Sequence, residues 1–176
     1  MSEHYRQLTA ADSEIYLALM LEAYAQVKEL GIHFDAATTS KAQVTQHLQQ
    51  HGVWGLFVDD DLAASITLRY PWGPLPGPFG LPHIGWFGAH PRYRGEQRGR
   101  QIYDWVETHI LREQLRAPAV SLGTAINHPW LIPFYQQYGF EPSHEADLGK
   151  GHITLFMKKI LDSAAHSAWL ARQSPW

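Results

Sequence analysis

The 176 residues contain no cysteine, which excludes a disulfide framework, a thiolate metal site and a thiol nucleophile. No stretch approaches the ~20 consecutive apolar residues of a membrane-spanning helix. Charge of either sign is also sparse: 18% of residues are charged, the net charge is -3 and no Lys/Arg run occurs. That balance leaves no electrostatic footprint for nucleic acid or for an anionic membrane. The first thirty residues carry Glu3, Asp12, Glu14, Glu22 and Lys28 within a helical pattern and lack the basic start and apolar core of a signal peptide. The sequence therefore reads as a cytoplasmic protein. No internal repeat is present.

What is abundant is apolar and aromatic. With 45% hydrophobic and 12% aromatic residues the composition is globular, and the length suits one core. Residues 1–161 read as a single domain. Residues 162–176 form a tail with a short helix around Trp169 and Leu170, expected either to pack on a second copy, as in a homodimer, or to fray.

Hydropathy patterning sets the element order. His4 to Leu8 reads as a strand, and Thr9-Ala10-Ala11-Asp12 as a capping box opening a helix whose apolar face is Leu17, Met20, Leu21, Tyr24 and Val27, with Gly31 as its stop. A polar helix follows between Ser40 and Gln50. Val53 to Val58 and Leu62 to Tyr70 flank the acidic turn Asp59-Asp60-Asp61 as a hairpin, with Leu62, Ala64, Ile66, Leu68 and Tyr70 alternating onto one face. The Pro/Gly-rich stretch 71–82 cannot supply regular ladder donors and is a stiff loop. His83 to His90 is a strand, Arg98 to Leu115 a helix, and Val120 to Ile126 a strand. Pro129 to Tyr138 is a short helix closed by Gly139, residues 140–150 hold a weakly marked strand, and His152 to Ile160 is the last. The order is βααβββαβαββ.

Two stretches carry chemistry. In the first, a strand end runs through Arg94-Gly95-Glu96-Gln97-Arg98-Gly99-Arg100 into a helix start. Free amides at a helix N-terminus bear partial positive charge, glycine allows close approach, and Arg94, Arg98 and Arg100 add full charges, so this turn suits a pyrophosphate; a solvated basic turn is the plainer alternative. In the second, Phe134-Tyr135-Gln136-Gln137-Tyr138-Gly139-Phe140 places a Tyr early in a short helix with Gly-Phe after it, a pattern that is otherwise core packing.

Together, in this order, the two stretches resemble the GNAT superfamily of N-acetyltransferases, whose pyrophosphate loop reads [Q/R]-x-x-G-x-[G/A] and whose later helix carries F-Y-x-x-x-G-F. The first pattern falls on Arg94 to Gly99, with Gln97 where it prefers glycine, and the second on Phe134 to Phe140. The resemblance implies an α/β fold with a mixed, mostly antiparallel sheet of six to seven strands, flanked by helices and splayed at the acetyl-CoA site. It implies direct attack of an amine on the thioester of acetyl-CoA, used as a co-substrate with no metal. By the same resemblance the backbone of Phe87 and Ala89 holds the pantetheine and the developing oxyanion, residues 94–100 (Arg94, Gly95, Glu96, Gln97, Arg98, Gly99, Arg100) hold the phosphates, Asn127 or His128 meets the pantetheine arm, and Tyr135 protonates the departing thiolate.

His83 precedes the loop with the sequence parity of Gly85, Phe87 and Ala89, as a base would, or is simply a surface histidine at a strand start. The acceptor region comprises Tyr24, His33, Phe34, Asp35, Trp54, Trp72, Trp86, His144, Glu145 and His152, of which Tyr24, Phe34 and Trp86 are taken as substrate-binding. Their rings fit a partly apolar or cationic small-molecule amine. Acetylation of a protein N-terminus or lysine, and a catalytically silent acyl-CoA-binding domain, are the alternatives.

Overall fold

A computed structural model of the chain describes residues 2–29, 32, 34–128 and 130–173, with the backbone alone at 26, 27 and 29. Gly31 as a helix stop, the side chain of Val27, His33 in the acceptor region and Pro129 as a helix start lie outside the described residues.

Seven strands form one sheet: β1 (Glu3–Gln7), β2 (Gly52–Val58), β3 (Asp61–Arg69), β4 (His83–Ala89), β5 (Ala119–Ala125), β6 (Glu141–Asp147) and β7 (Ile153–Ile160), in the spatial order β1-β2-β3-β4-β5-β7-β6. Helices α1 (Ser13–Glu29), α2 (Lys41–Gln50), α3 (Arg98–Val106, running on as a π-helix over Glu107–Gln114), α4 (Leu131–Gln137) and α5 (Ser163–Gln173) complete the chain. All pairings are antiparallel except β4 with β5. Element order up to β7 follows the hydropathy pattern, because each apolar run is bounded by a residue type that stops it: Asp59 at φ 55 in the β2–β3 turn, the prolines of 71–82, and Gly139 at φ 95 after α4.

Helices cover both sheet faces. On one, α3 and its π extension pack Ile102, Val106 and Ile110 against Leu56, Ile66, Leu68 and Leu122. On the other, α1 and α2 bring Tyr16, Leu19, Met20, Val44 and Leu48 onto Val53, Phe57 and Leu62. The buried side of α1 is thus turned from the expected one: Tyr16 and Leu19 are buried with Met20, whereas Leu21 is exposed.

Two β-bulges reset strand faces. In β3, Ala63 is the extra residue between the pairs Leu56↔Ala64 and Phe57↔Leu62, so Leu62 faces α1 and α2 and not the side of Ala64, Ile66 and Leu68. In β4, Gly85 and Trp86 together oppose Thr67, between Ile66↔Phe87 and Leu68↔Ile84. The helix of the tail, α5, meets the sheet at β7, where Lys158 Nζ lies 5.8 Å from the centre of the Trp169 ring, and His166 beside that ring is buried.

Candidate active site

The parallel pairing of β4 with β5 has two rungs, His83↔Ser121 and Ile84↔Leu122, after which the strands part. Into the opening runs a cleft of about 1210 Å³, bordered at one end by the loop before α3 and at the other by α1, the 71–82 loop and β7. The bulge at Gly85–Trp86 sits where the strands separate, and its added twist helps aim the rest of β4 away.

At the loop end, the first i→i−4 bond of α3 runs from the Gln101 amide to Gln97 O at 3.0 Å, so the amides of Arg98, Gly99 and Arg100 have no acceptor within the helix. Those of Gly95 and Gln97 likewise find none among the described residues. Gly95 (φ 85) and Gln97 (φ 57, ψ 35) are both left-handed, a conformation that glycine adopts freely and glutamine does not.

Two of the expected phosphate ligands are spent elsewhere. The Arg98 side chain is only 6% exposed and lies between Glu3 at 2.8 Å and Glu96 at 3.2 Å, so its charge is consumed internally and only its backbone remains to offer. The Glu96 amide donates to Tyr93 O at 3.0 Å and its carboxylate holds Arg98, leaving it nothing to give an anion. Arg94 is exposed at the cleft, and Arg100 lines it while pairing loosely with Asp104 at 3.7 Å.

Along the walls, Phe87 packs beside Tyr135 with ring centroids 6.4 Å apart. Its backbone is already satisfied: the Tyr24 hydroxyl accepts from the Phe87 amide and donates to the Phe87 carbonyl, both at 2.9 Å, occupying the edge that β5 has vacated. The Phe87 amide is therefore taken, whereas that of Ala89 is turned toward the opening by alternation, because the next amide, His90 N, bonds back to Ala63 O on β3. Burial pushes the Tyr24 phenol up to about 12.

Of the two candidates after β5, Asn127 is exposed and does not border the cleft, whereas His128 is buried and does. His128 Nδ1 accepts from the amides of Trp130 at 3.4 Å and Leu131 at 3.3 Å, capping α4. That fixes the proton on Nε2, a buried donor with no partner. Pro133 stands in the first turn of α4, where its missing N–H is not needed, and the helix begins at Leu131. Tyr135 follows, buried and bordering the cleft, its phenol pushed well above the usual range by burial.

At the far end, Tyr24, Phe34 and Trp86 all border the cleft. Phe34 stands edge-on to Tyr24 and to His152, and Trp86 stacks on His47 at 4.0 Å. Trp54 belongs to the core, Trp72 is 70% exposed on the 71–82 loop, and His144 and Glu145 lie on β6 outside the cleft. The β4 bulge also overturns the expected parity of His83: Phe87 pairs with Ile66, but His83 pairs with Arg69, so the two side chains occupy opposite faces. His83 Nδ1 lies 2.8 Å from Ser121 Oγ, and burial with the Arg69 charge lowers its pKa to about 3. Arg69 itself borders the cleft, unforeseen in the sequence because a terminal Arg on a strand reads as a solvated end.

A split sheet with a helix N-terminus at one end of the opening and a buried tyrosine at its centre is the architecture of acyl-CoA-dependent acyltransferases. The acetyltransferase (GNAT) family profile matches residues 17–140, and the chain belongs to that family. It is 44% identical over 161 residues, 92% of this chain and 98% of the relative, to S-(2-succino)cysteine N-acetyltransferase of Bacillus subtilis (strain 168). It is 32% identical to the S-alkylcysteine N-acetyltransferase of the same organism, covering 89% of this chain and 88% of that one. Among solved structures, the PaiA N-acetyltransferase of Thermoplasma acidophilum in complex with coenzyme A superposes with a TM-score of 0.69 at 17% identity, over 91% of this chain and 99% of the other. The chain is accordingly an acyltransferase, and no helix among its described residues is long and apolar enough to cross a membrane.

Proposed function

We propose that the enzyme transfers the acetyl group of acetyl-CoA directly to the α-amine of an S-substituted cysteine. The acceptor class is taken from the names of the two Bacillus relatives, and the observation that carries the reaction is the row of partnerless amides at Gly95 and Gln97 to Arg100, at the mouth of a cleft that leads to Tyr135. These amides, with Arg94 and Arg100, suit a diphosphate, and the orphan Nε2–H of His128 suits a pantetheine carbonyl.

Bound in this cleft, acetyl-CoA would supply an activated acyl group. The Ala89 amide is the protein donor left for charge developing on the acyl oxygen. Tyr135, held neutral by burial, keeps its proton for the departing sulfur. His83 stays neutral to about pH 3 and so has little affinity for an ammonium proton; we assign it to shaping the acceptor wall with Ser121. The amine then enters already neutral or gives its proton to water, and kcat/KM should rise with pH through the amine's own titration.

Incubation with acetyl-CoA and an S-alkylcysteine should release free CoA. Tyr135→Phe should slow turnover by roughly 10²–10⁴-fold, as removal of a general acid does, while calorimetry finds CoA affinity largely unchanged. Equal rates for the variant would remove Tyr135 from the chemistry; absence of heat on CoA titration would remove the whole reading.

A further inference from the structure

We propose that Arg69 is the carboxylate receptor of the acceptor site, which makes the preferred acceptor an amine that itself bears carboxylate. This deepens the reading above and rests on it for the reaction.

Arg69 closes β3, half-buried, opposite His83 and on the same side of the sheet. Its stem passes over the β4 bulge, where a Cβ on Gly85 would lie 3.4 Å from Arg69 Cδ. Two carbonyls of the proline-rich loop fix the fork: Nε donates to Leu75 O at 2.8 Å and Nη2 to Pro76 O at 3.3 Å. Among the described residues Nη1 makes no hydrogen bond and no carboxylate lies within 4.0 Å of the guanidinium. The acid whose field reaches it, Asp35, is 74% exposed and faces Lys150 at 3.9 Å.

Desolvation lowers the pKa of this half-buried guanidinium, a cost that the two carbonyls and the field of exposed Asp35 offset only in part. Burial is the main reason that the pKa values of His47, His51 and His83 are lowered, and the field of Arg69 adds to it in each. Held through Nε and Nη2 by the two carbonyls, the guanidinium keeps Nη1 and the second proton of Nη2 as the planar donor edge that a carboxylate accepts in bidentate fashion. Lys150 borders the same end, but its charge faces Asp35, which borders it too. The acceptor end thus holds Glu22 and Asp35 as well as Lys150 and Arg69, and of its two cations Arg69 is the one with no carboxylate within 4.0 Å among the described residues.

Three acceptors separate the sources of carboxylate: S-(2-succino)cysteine has it on both the α-carbon and the substituent, S-propylcysteine on the α-carbon alone, and S-propylcysteamine has none. Arg69→Gln should raise KM, with kcat less affected, by roughly ten- to a hundredfold for the carboxylate that it receives, the scale of a charge-assisted hydrogen bond. A penalty on the succinyl compound beyond that on S-propylcysteine identifies the substituent carboxylate. One shared by both, and absent from the cysteamine, identifies the α-carboxylate. Arg69→Lys, which keeps the charge and loses the loop anchors, should fall between. Unchanged CoA affinity in each variant shows that it has folded.

Titration of the same three compounds into the CoA-bound protein reads acceptor binding without turnover. Carboxylate-dependent binding that weakens in Arg69→Gln upholds the assignment even where no acetyl transfer occurs, an outcome that would sink only the reaction. A penalty equal across all three compounds, no penalty, or no binding of either carboxylate-bearing compound to the wild-type protein overturns it.

Discussion

Gln97 concentrates the local conflict of the phosphate loop into one backbone position. The loop requires a left-handed residue there, and L side chains pay about 1–2 kcal/mol for that conformation. Glycine avoids that cost but gives up about 0.5–1 kcal/mol through the freedom of its unfolded chain. Gln97→Gly is thus expected to raise the unfolding free energy by up to about 1 kcal/mol in denaturant titrations, and Gln97→Val to lower it. Destabilisation by glycine would mean that the glutamine side chain makes a contact of its own worth more than the strain. The sequence marks this position through its departure from the family pattern, yet the fate of its neighbours is invisible there. Arg98 reads as a phosphate ligand until Glu3, 95 residues away in the chain, is found beside it.

Among elements, α2 is attached to the sheet by chemistry that acid should undo. His47 is buried, its Nε2 lies 2.9 Å from Thr67 Oγ1 on β3, and its ring is stacked on Trp86 of the β4 bulge, with Tyr16, His51 and Arg69 around it. Burial lowers its pKa to about 3, as it does for His83. Below pH 6.5 the unfolded chain takes up protons at both positions that the folded chain refuses, so stability falls as pH drops from about 6.5 toward 3, by about 1.4 kcal/mol per unit for each group. Denaturation midpoints should decline steeply between pH 7 and 5, and His47→Gln should flatten that slope; an unaltered slope would show that His47 is not responsible. The existence and order of elements were legible because the apolar runs end at turn-forming residues, even where, as in β2, no alternation marks the strand. Faces were not: β2 and β3 are buried on both sides, so no polar side advertises the slip at Ala63, and Gly85 hides the one that sends His83 away from Phe87.

For the molecule as a whole, the sheet is two panels, β1 to β4 and β5 to β7, joined by two rungs. Both motif stretches border this opening, but the Tyr24 hydroxyl within it could not be foreseen from spacing, because α1 reaches it only through the tertiary fold. CoA should therefore slow amide hydrogen exchange at Ala89 and over residues 95–100, and raise the melting temperature with its concentration, by about 2.7 kcal/mol of stability at a hundredfold excess over Kd. Protection confined to α3 would mean that the panels are not bridged. A joint so lightly fastened makes its occupant structural timber as well as reactant. The enzyme should be loosest in the moment after it discards the spent carrier and before the next one is taken up.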